Sequence, residues 1–390
     1  MKSRLLPGLG VNMPSNSPIP RSSTANPGLF FEHVESPTDR LHLTLGSRLD
    51  FVNAALNADS ASIAALGLSS PQASLANLLG TSQFDRSFTL YSMFLTSQFD
   101  IDEQWKLTAA AGQGQRAPNL TELYAAGPFM FLLQNGLNTV TGDPRLKSEK
   151  IWQIDLGTQF QSEQASFGLT GFHAWCQDYI TFENVSVVGG PPLGAIEQVN
   201  LQFVNTDLAT LAGFEAHGDY KLNSWMIPFA TVNFVEGRDH SRNGHFATIP
   251  GTAGAAKSRD TTQSRGANSG IAGGSEESLP QILPLQARLG VRLHQATERS
   301  RWNVELSARI ADRQSRVATS LLEQQTPGFT TWDLRGVWQA TDKLLLIAGV
   351  ENFTNKQFQE HLDYHPQPGG GTFRVFQPGA NFYFGSELKY

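Results

Sequence analysis

The sequence is short of cysteine, of charge and of long apolar runs, and each shortage removes a class of protein. Its 390 residues hold a single cysteine, Cys176, which excludes an internal disulfide and any cysteine-rich zinc site. No stretch approaches the roughly 18 apolar residues that a membrane helix needs. The best run is "LLLIAGV" at 344–350, so a helical membrane protein is excluded. Charged residues make up only 16% of the chain, too few for the Lys/Glu surface of a soluble helical protein. The net charge of −6 comes with no basic stripe, which points away from nucleic acid as a partner. The opening "MKSRLLPGLGVNMPSNSPIPRSSTANPG" starts basic, but Pro and Gly break its apolar part before it reaches the length of a secretory h-region. Residues 1–27 are therefore expected to be disordered, without a clear signal peptide.

What is present is alternation. In "LHLTLGSRLDF" (41–51), Leu41, Leu43, Leu45, Leu49 and Phe51 share one face while His42, Thr44, Arg48 and Asp50 share the other, a period of two and not 3.6. The same pattern fills "LQARLGVRL" (285–293) and "WNVELSARI" (302–310). Aliphatics on one face and charge on the other suit either a sandwich with a wet outer face or a barrel with a wet lumen. Connection lengths decide between them. Short polar turns such as "SPTDR" (36–40), "DIDEQ" (100–104) and "ATDK" (340–343) alternate with long connections at 53–85, 118–149, 241–282, 317–328 and 359–373. Loops of this length argue against a compact soluble domain, whereas tight turns at one end and extended loops at the other are the rule in outer-membrane barrels. The expectation is an all-β transmembrane antiparallel barrel wall of about 13 strands over 28–390.

Four segments carry a resemblance to a known family. "GQGQRAPNLTELY" (112–124), "GDPRLKSEKIWQIDLG" (142–157), "GVENFTNKQFQEH" (349–361) and "PGANFYFGSELKY" (378–390) are similar, in order, to segments of the β-barrels of TonB-dependent outer-membrane receptors. Arg116, Pro118, Asn352, Pro378, Gly379 and Tyr390 stand at the motif positions. Pro118 has no N–H for a ladder and holds Ala117 extended, so the motif ends a strand. Ser148 stands where proline is usual, Asp155 where glutamate is common and Ala380 where arginine often follows Pro-Gly. The resemblance implies a barrel of about 22 strands, of which this chain is expected to be the C-terminal part, with the plug domain and TonB box absent. It further implies uptake of a scarce ligand, such as a siderophore-type metal chelate or cobalamin, and contact with TonB only through a plug. The chain-terminal Tyr390, with Phe382, Phe384 and Leu388 on its face, resembles the signal read by the barrel assembly machinery, and the outer face is expected to meet outer-membrane lipid.

For ligand contact the loop aromatics Tyr124, Phe129 and Phe131 are candidates, because rings offer apolar faces to a bulky ligand; loop-against-loop packing is the competing use of the same rings. His361 and His365 have a spacing that suits a metal on a helix, but Pro366 follows at once and no metal is expected. Cys176 reads as a small wall residue. No Ser-His-Asp order, carboxylate pair or phosphate-cradling glycine loop stands out, so neither an enzyme nor a cofactor is implied. A passive porin-like or adhesin-like barrel is the alternative.

Overall fold

The computed structural model describes residues 18–57, 71–130, 132–134, 136–188, 198–240, 276–296, 301–321, 323–364 and 375–389. Among them, 17 strands join in one sheet. Thirteen make a continuous antiparallel wall: β2 (Gly28–Thr38), β3 (Leu41–Leu56), β4 (Arg86–Asp100), β5 (Trp105–Arg116), β8 (Glu149–Gln161), β9 (Ala165–Val188), β10 (Gln198–Tyr220), β11 (Met226–Asp239), β13 (Gln286–His294), β14 (Trp302–Ala311), β15 (Phe329–Gln339), β16 (Leu344–Glu351) and β17 (Asn381–Leu388). The expected wall count is met. Among the described residues no register joins β2 to β17, and the sheet is not closed.

Four short strands lie where the sequence offered no alternation. β1 (Ser22–Ala25) runs antiparallel to the end of β3, Ser22 opposite Leu56, inside the segment 1–27 that was expected to be disordered. β6 (Ala126–Met130) and β7 (Leu137–Thr141) form a hairpin within the 118–149 connection, and β12 (Glu277–Ser278) pairs with the tip of β11. The connections also carry helix α1 (Pro71–Leu79) and the single turn α2 (Leu120–Tyr124). β1, β7 and β12 are held by β3, β10 and β11, far away in the chain, a cause that local pattern does not record.

The pleat sorts the side chains into two faces. One cross-strand row runs Leu45, Leu95, Ala111, Ile154, and Leu45, Leu95 and Ile154 are exposed, as are Leu49, Leu156, Leu289 and Leu334 of the same parity. This apolar face is the outer one. Near the short turns it carries exposed Trp105, Phe167, Trp302 and Trp338; Trp105 stands opposite Phe160, Phe160 opposite Phe167, and Trp302 opposite Trp338. Such a ring of aromatics marks the boundary between hydrocarbon and water in barrel walls. The opposite parity carries the charge: Arg48 and Asp50 pair at 2.7 Å, and Arg288 and Arg292 both reach Glu305, the latter at 3.1 Å. No helix among the described residues is long and apolar enough to cross a membrane.

The buried core is not behind the wall but at its long-loop end. Leu75 and Leu79 of α1, Leu123 and Tyr124 of α2, Val140 of β7 and Leu201 of β10 are all but inaccessible and pack with Leu146 and Leu321. β9 and β10, at 24 and 23 residues, are about twice the length that a tilted strand needs to cross a bilayer. Their upper halves supply backbone for this cap: β7 runs parallel to β10, Val140 opposite Leu201.

Candidate functional site at the long-loop end

Arg116, the last residue of β5, stands opposite Glu149, the first of β8. Its Nε donates to Glu149 Oε2 at 2.7 Å and its Nη1 to Glu122 Oε2 at 2.8 Å. Glu122 belongs to α2, where Asn119 and Glu122 form a reciprocal capping box: Glu122 N–H donates to Asn119 Oδ1 at 2.9 Å and Asn119 N–H to Glu122 Oε2 at 2.7 Å. Glu149 Oε1 also accepts the Ile180 N–H at 2.6 Å. The strand terminator expected at Arg116-Ala117-Pro118 is therefore also an ionic joint between two wall strands and the start of the cap. The Asn-x-x-Glu spacing of the box was readable as a helix start; the link from Arg116 to Glu149 was not, since it depends on register.

Tyr124, proposed from sequence as a ligand contact, has no exposed surface. Its hydroxyl donates to the Phe84 carbonyl at 2.6 Å, and burial pushes the phenol up to about 12. Phe129 lies half-buried against the same cluster. Phe131 lies outside the described residues, as do His365 and Tyr390.

His361 is buried and joins four connections. Its Nδ1 lies 3.0 Å from Thr326 Oγ1 and its Nε2 3.2 Å from Glu323 Oε1. Glu323 in turn accepts the N–H groups of Gln281 at 2.7 Å and Ala318 at 2.6 Å. Gln134, between β6 and β7, donates to the His361 carbonyl and accepts the Gln324 N–H at 2.8 Å. Both ring nitrogens are thus engaged in tying loops together. Among the described residues no group of three or more His, Cys, Asp or Glu is placed to hold a metal ion.

Asn352 begins the turn after β16 with φ of 49°, a left-handed conformation that asparagine tolerates better than most residues. Its side chain closes the turn, Oδ1 accepting Lys356 N–H at 2.9 Å and Nδ2 donating to the Lys356 carbonyl at 2.8 Å, while its own N–H donates to Asp333 Oδ1 at 2.9 Å. Asn355 Oδ1 accepts the Ala380 N–H at 3.1 Å, and a Cβ at Gly379 would come within 2.2 Å of that same oxygen. Two motif segments far apart in sequence are therefore stitched together at the start of β17.

Below the cap the inner face presents a mixed charged surface. Arg292 lies 4.2 Å over the Phe229 ring, and Arg335 reaches Glu351 at 3.4 Å and Asp333 at 3.6 Å. Among the described residues this face therefore combines fixed charges of both signs with aromatic rings.

An antiparallel wall with an apolar outer face, a charged inner face and a packed cap over one end defines the class of outer-membrane barrel. The sequence model described as "TonB dependent receptor-like, beta-barrel" matches residues 3–353, and the chain belongs to this TonB-dependent receptor family, a family of outer-membrane receptors and transporters. Comparison with curated protein sequences finds no match. Solved structures share the fold. The copper transporter OprC superposes with a TM-score of 0.68 at 21% identity, over 94% of this chain and 48% of that one. A variant of the FrpB iron transporter from Neisseria meningitidis gives 0.61 at 14% identity, over 95% and 46%. The ferric yersiniabactin uptake receptor FyuA from Yersinia pestis gives 0.57 at 12%, again over 95% and 46%. The chain thus spans about half the length of the structures it matches.

Proposed function

We propose that this chain is the C-terminal wall and part of the outer cap of a TonB-dependent receptor that imports a scarce, bulky ligand, a metal chelate of the siderophore type or cobalamin. The observation that carries the reading is the family match over residues 3–353, taken with a charged inner face that lies beneath a packed long-loop end. The names of the similar structures, a copper transporter, an iron transporter and a ferric yersiniabactin uptake receptor, favour a metal-bearing cargo. In this reading Phe129 and Phe131 offer the aromatic contacts, while Tyr124 packs in the cluster against which Phe129 rests. Coupling to TonB runs through a plug domain, assembly through the barrel assembly machinery, and the outer face meets lipid. As an open 13-stranded sheet, the 390-residue chain expressed alone imports nothing, because unpaired backbone at β2 and β17 cannot be satisfied in hydrocarbon.

The test is uptake of radiolabelled ferric chelates and of labelled cobalamin by a strain deleted for its own receptors. Cells carrying the full receptor barrel are expected to take up one class in a TonB-dependent manner. Uptake that persists without TonB refutes the reading and favours a passive barrel.

A further inference from the structure

Two connections fold inward from different parts of the wall and meet at one carboxylate. The stretch between β12 and β13 lies on the inner face of β9 and β10, where Leu279 and Ile282 pack with Cys176, Ala209 and Leu211, side chains whose parity is opposite to that of outward Trp175. The stretch after β16 lies on the inner face of β14 and β15. There Glu360 takes both terminal nitrogens of Arg309, and the Phe358 ring centre is 4.4 Å from that of Phe329, Arg309 and Phe329 having the parity opposite to outward Trp302 and Trp338.

Glu323, in the connection between β14 and β15, joins the two. Its Oε1 accepts the Gln281 N–H of the first stretch at 2.7 Å and faces His361 Nε2 of the second at 3.2 Å. Its Oε2 accepts the Ala318 N–H at 2.6 Å, so both oxygens face donors, as those of a carboxylate do. The His361 and Glu323 side chains are 0% and 5% exposed, and among the described residues His361 is the one basic side chain that this carboxylate meets. The acids on the histidine's own connection are held elsewhere, Glu360 by Arg309 and Asp363 by Gln377 Nε2 at 2.7 Å. Besides Glu323, the ring faces the neutral Thr326 hydroxyl at 3.0 Å and the Gln134 amide at 3.4 Å, both at Nδ1.

With one proton, the ring donates from Nε2 to Glu323 and accepts from Thr326 at Nδ1. With two, Nδ1–H donates to the Thr326 oxygen and the contact with Glu323 becomes an ion pair that solvent screens little. Burial opposes a new charge, but here the new charge cancels one already buried, so a pair replaces a lone carboxylate. We propose that His361 and Glu323 form a pH-dependent latch across the long-loop end of the inner face, fastened in acid while the ring is a cation and loosened as pH rises and the ring becomes neutral. Because the folded joint favours the second proton, its stabilisation is complete in acid and is lost on going up through the range of about pH 5 to 8 in which imidazole changes charge. Loosening frees both inward stretches together, since one carboxylate holds them. The latch belongs to the cap and does not depend on which cargo the receptor carries.

Hydrogen exchange of the full chain folded in detergent micelles, with rates corrected for the intrinsic pH dependence of amide exchange, reads the latch in the segments around Gln281, Glu323 and His361. Wild type is expected to open these segments about tenfold more readily at pH 8 than at pH 5, the size expected when one buried hydrogen bond gains a charge, with β4, β5 and β8 unchanged. His361→Gln, which keeps a donor and an acceptor but has no charge to gain, and Glu323→Gln are expected to lose the pH dependence, and Asp363→Asn to keep it. Wild type is decisive alone: equal opening at the two pH values, or readier opening in acid, overturns the proposal. A dependence that survives in folded His361→Gln or Glu323→Gln overturns it too, as does its loss in Asp363→Asn, which would put the titrating group elsewhere.

Discussion

Removing one oxygen, by Tyr124→Phe, tests whether the cap over the long-loop end is a built structure. The Tyr124 ring is fully buried among Leu75, Leu79, Leu123 and Leu201, and its hydroxyl donates to the Phe84 carbonyl at 2.6 Å. Phenylalanine keeps the packing and leaves that carbonyl without this partner, at a cost of about 1–2 kcal/mol. Because the contact fastens α2 to the connection before β4, the loss falls on opening of residues 117–146 and not on the wall. Hydrogen exchange in that segment is expected to quicken about fivefold to thirtyfold, with exchange of the central wall strands unchanged. The pH dependence supplies a second arm. Burial raises the folded phenol to about 12, above the ordinary value near 10. The neutral phenol is the form that the fold favours, so this stabilisation is complete below about pH 10 and is lost as pH rises through about 12, by an order of 2–3 kcal/mol. Wild type is expected to open its cap more steeply in that alkaline window than Tyr124→Phe, in which buried Tyr179, also pushed up to about 12, still titrates. Equal exchange in the two proteins at neutral pH, or an alkaline step of equal size in both, would refute the reasoning.

Other outcomes follow from single residues. Arg116→Ala leaves the Glu122 and Glu149 carboxylates facing each other across the joint; as the arginine side chain is itself 44% exposed, the local loss is expected to be about 1–2 kcal/mol after allowance for solvent screening, read as faster proteolysis after residue 117, with Arg116→Lys recovering only part. His361→Ala removes both ring contacts at once and is expected to free the four connections together, so that protection falls at Gln134, Gln281, Glu323 and His361 in concert; a fall confined to the 359–364 segment would contradict the joint. Asn352→Ala forces a Cβ-bearing side chain without a capping amide into a left-handed turn and is expected to cost about 2 kcal/mol, with Asn352→Gly milder, measured as reduced heat stability of folded barrel on a gel. Deleting Tyr390 is expected to lower outer-membrane assembly of the full receptor far more than Lys389→Ala does, and equal assembly would count against the outward facing of the last strand.

The wall was legible in the sequence because its cause is local. In Leu41–Leu56 or Trp302–Ala311 each side chain falls on the outer or the inner face by parity alone, so alternation writes the strand, its two faces and, through connection length, the two ends of the wall. Pro118 announced a strand end for the same reason. The cap had no such signature. β1, β7 and β12 are strands because β3, β10 and β11 offer free edges to them, and nothing in "SSTA" or "LNTVT" alternates strongly enough to say so. Tyr124 looked like a ring awaiting a ligand, but non-local packing against α1, β7 and β10 made it core. His361 has a spacing to His365 from which no metal was expected, but its partners Glu323, Thr326 and Gln134, which come from other connections, were not legible either. Periodicity records which way a side chain points; which groups meet it there is decided by contacts between residues that the chain keeps far apart.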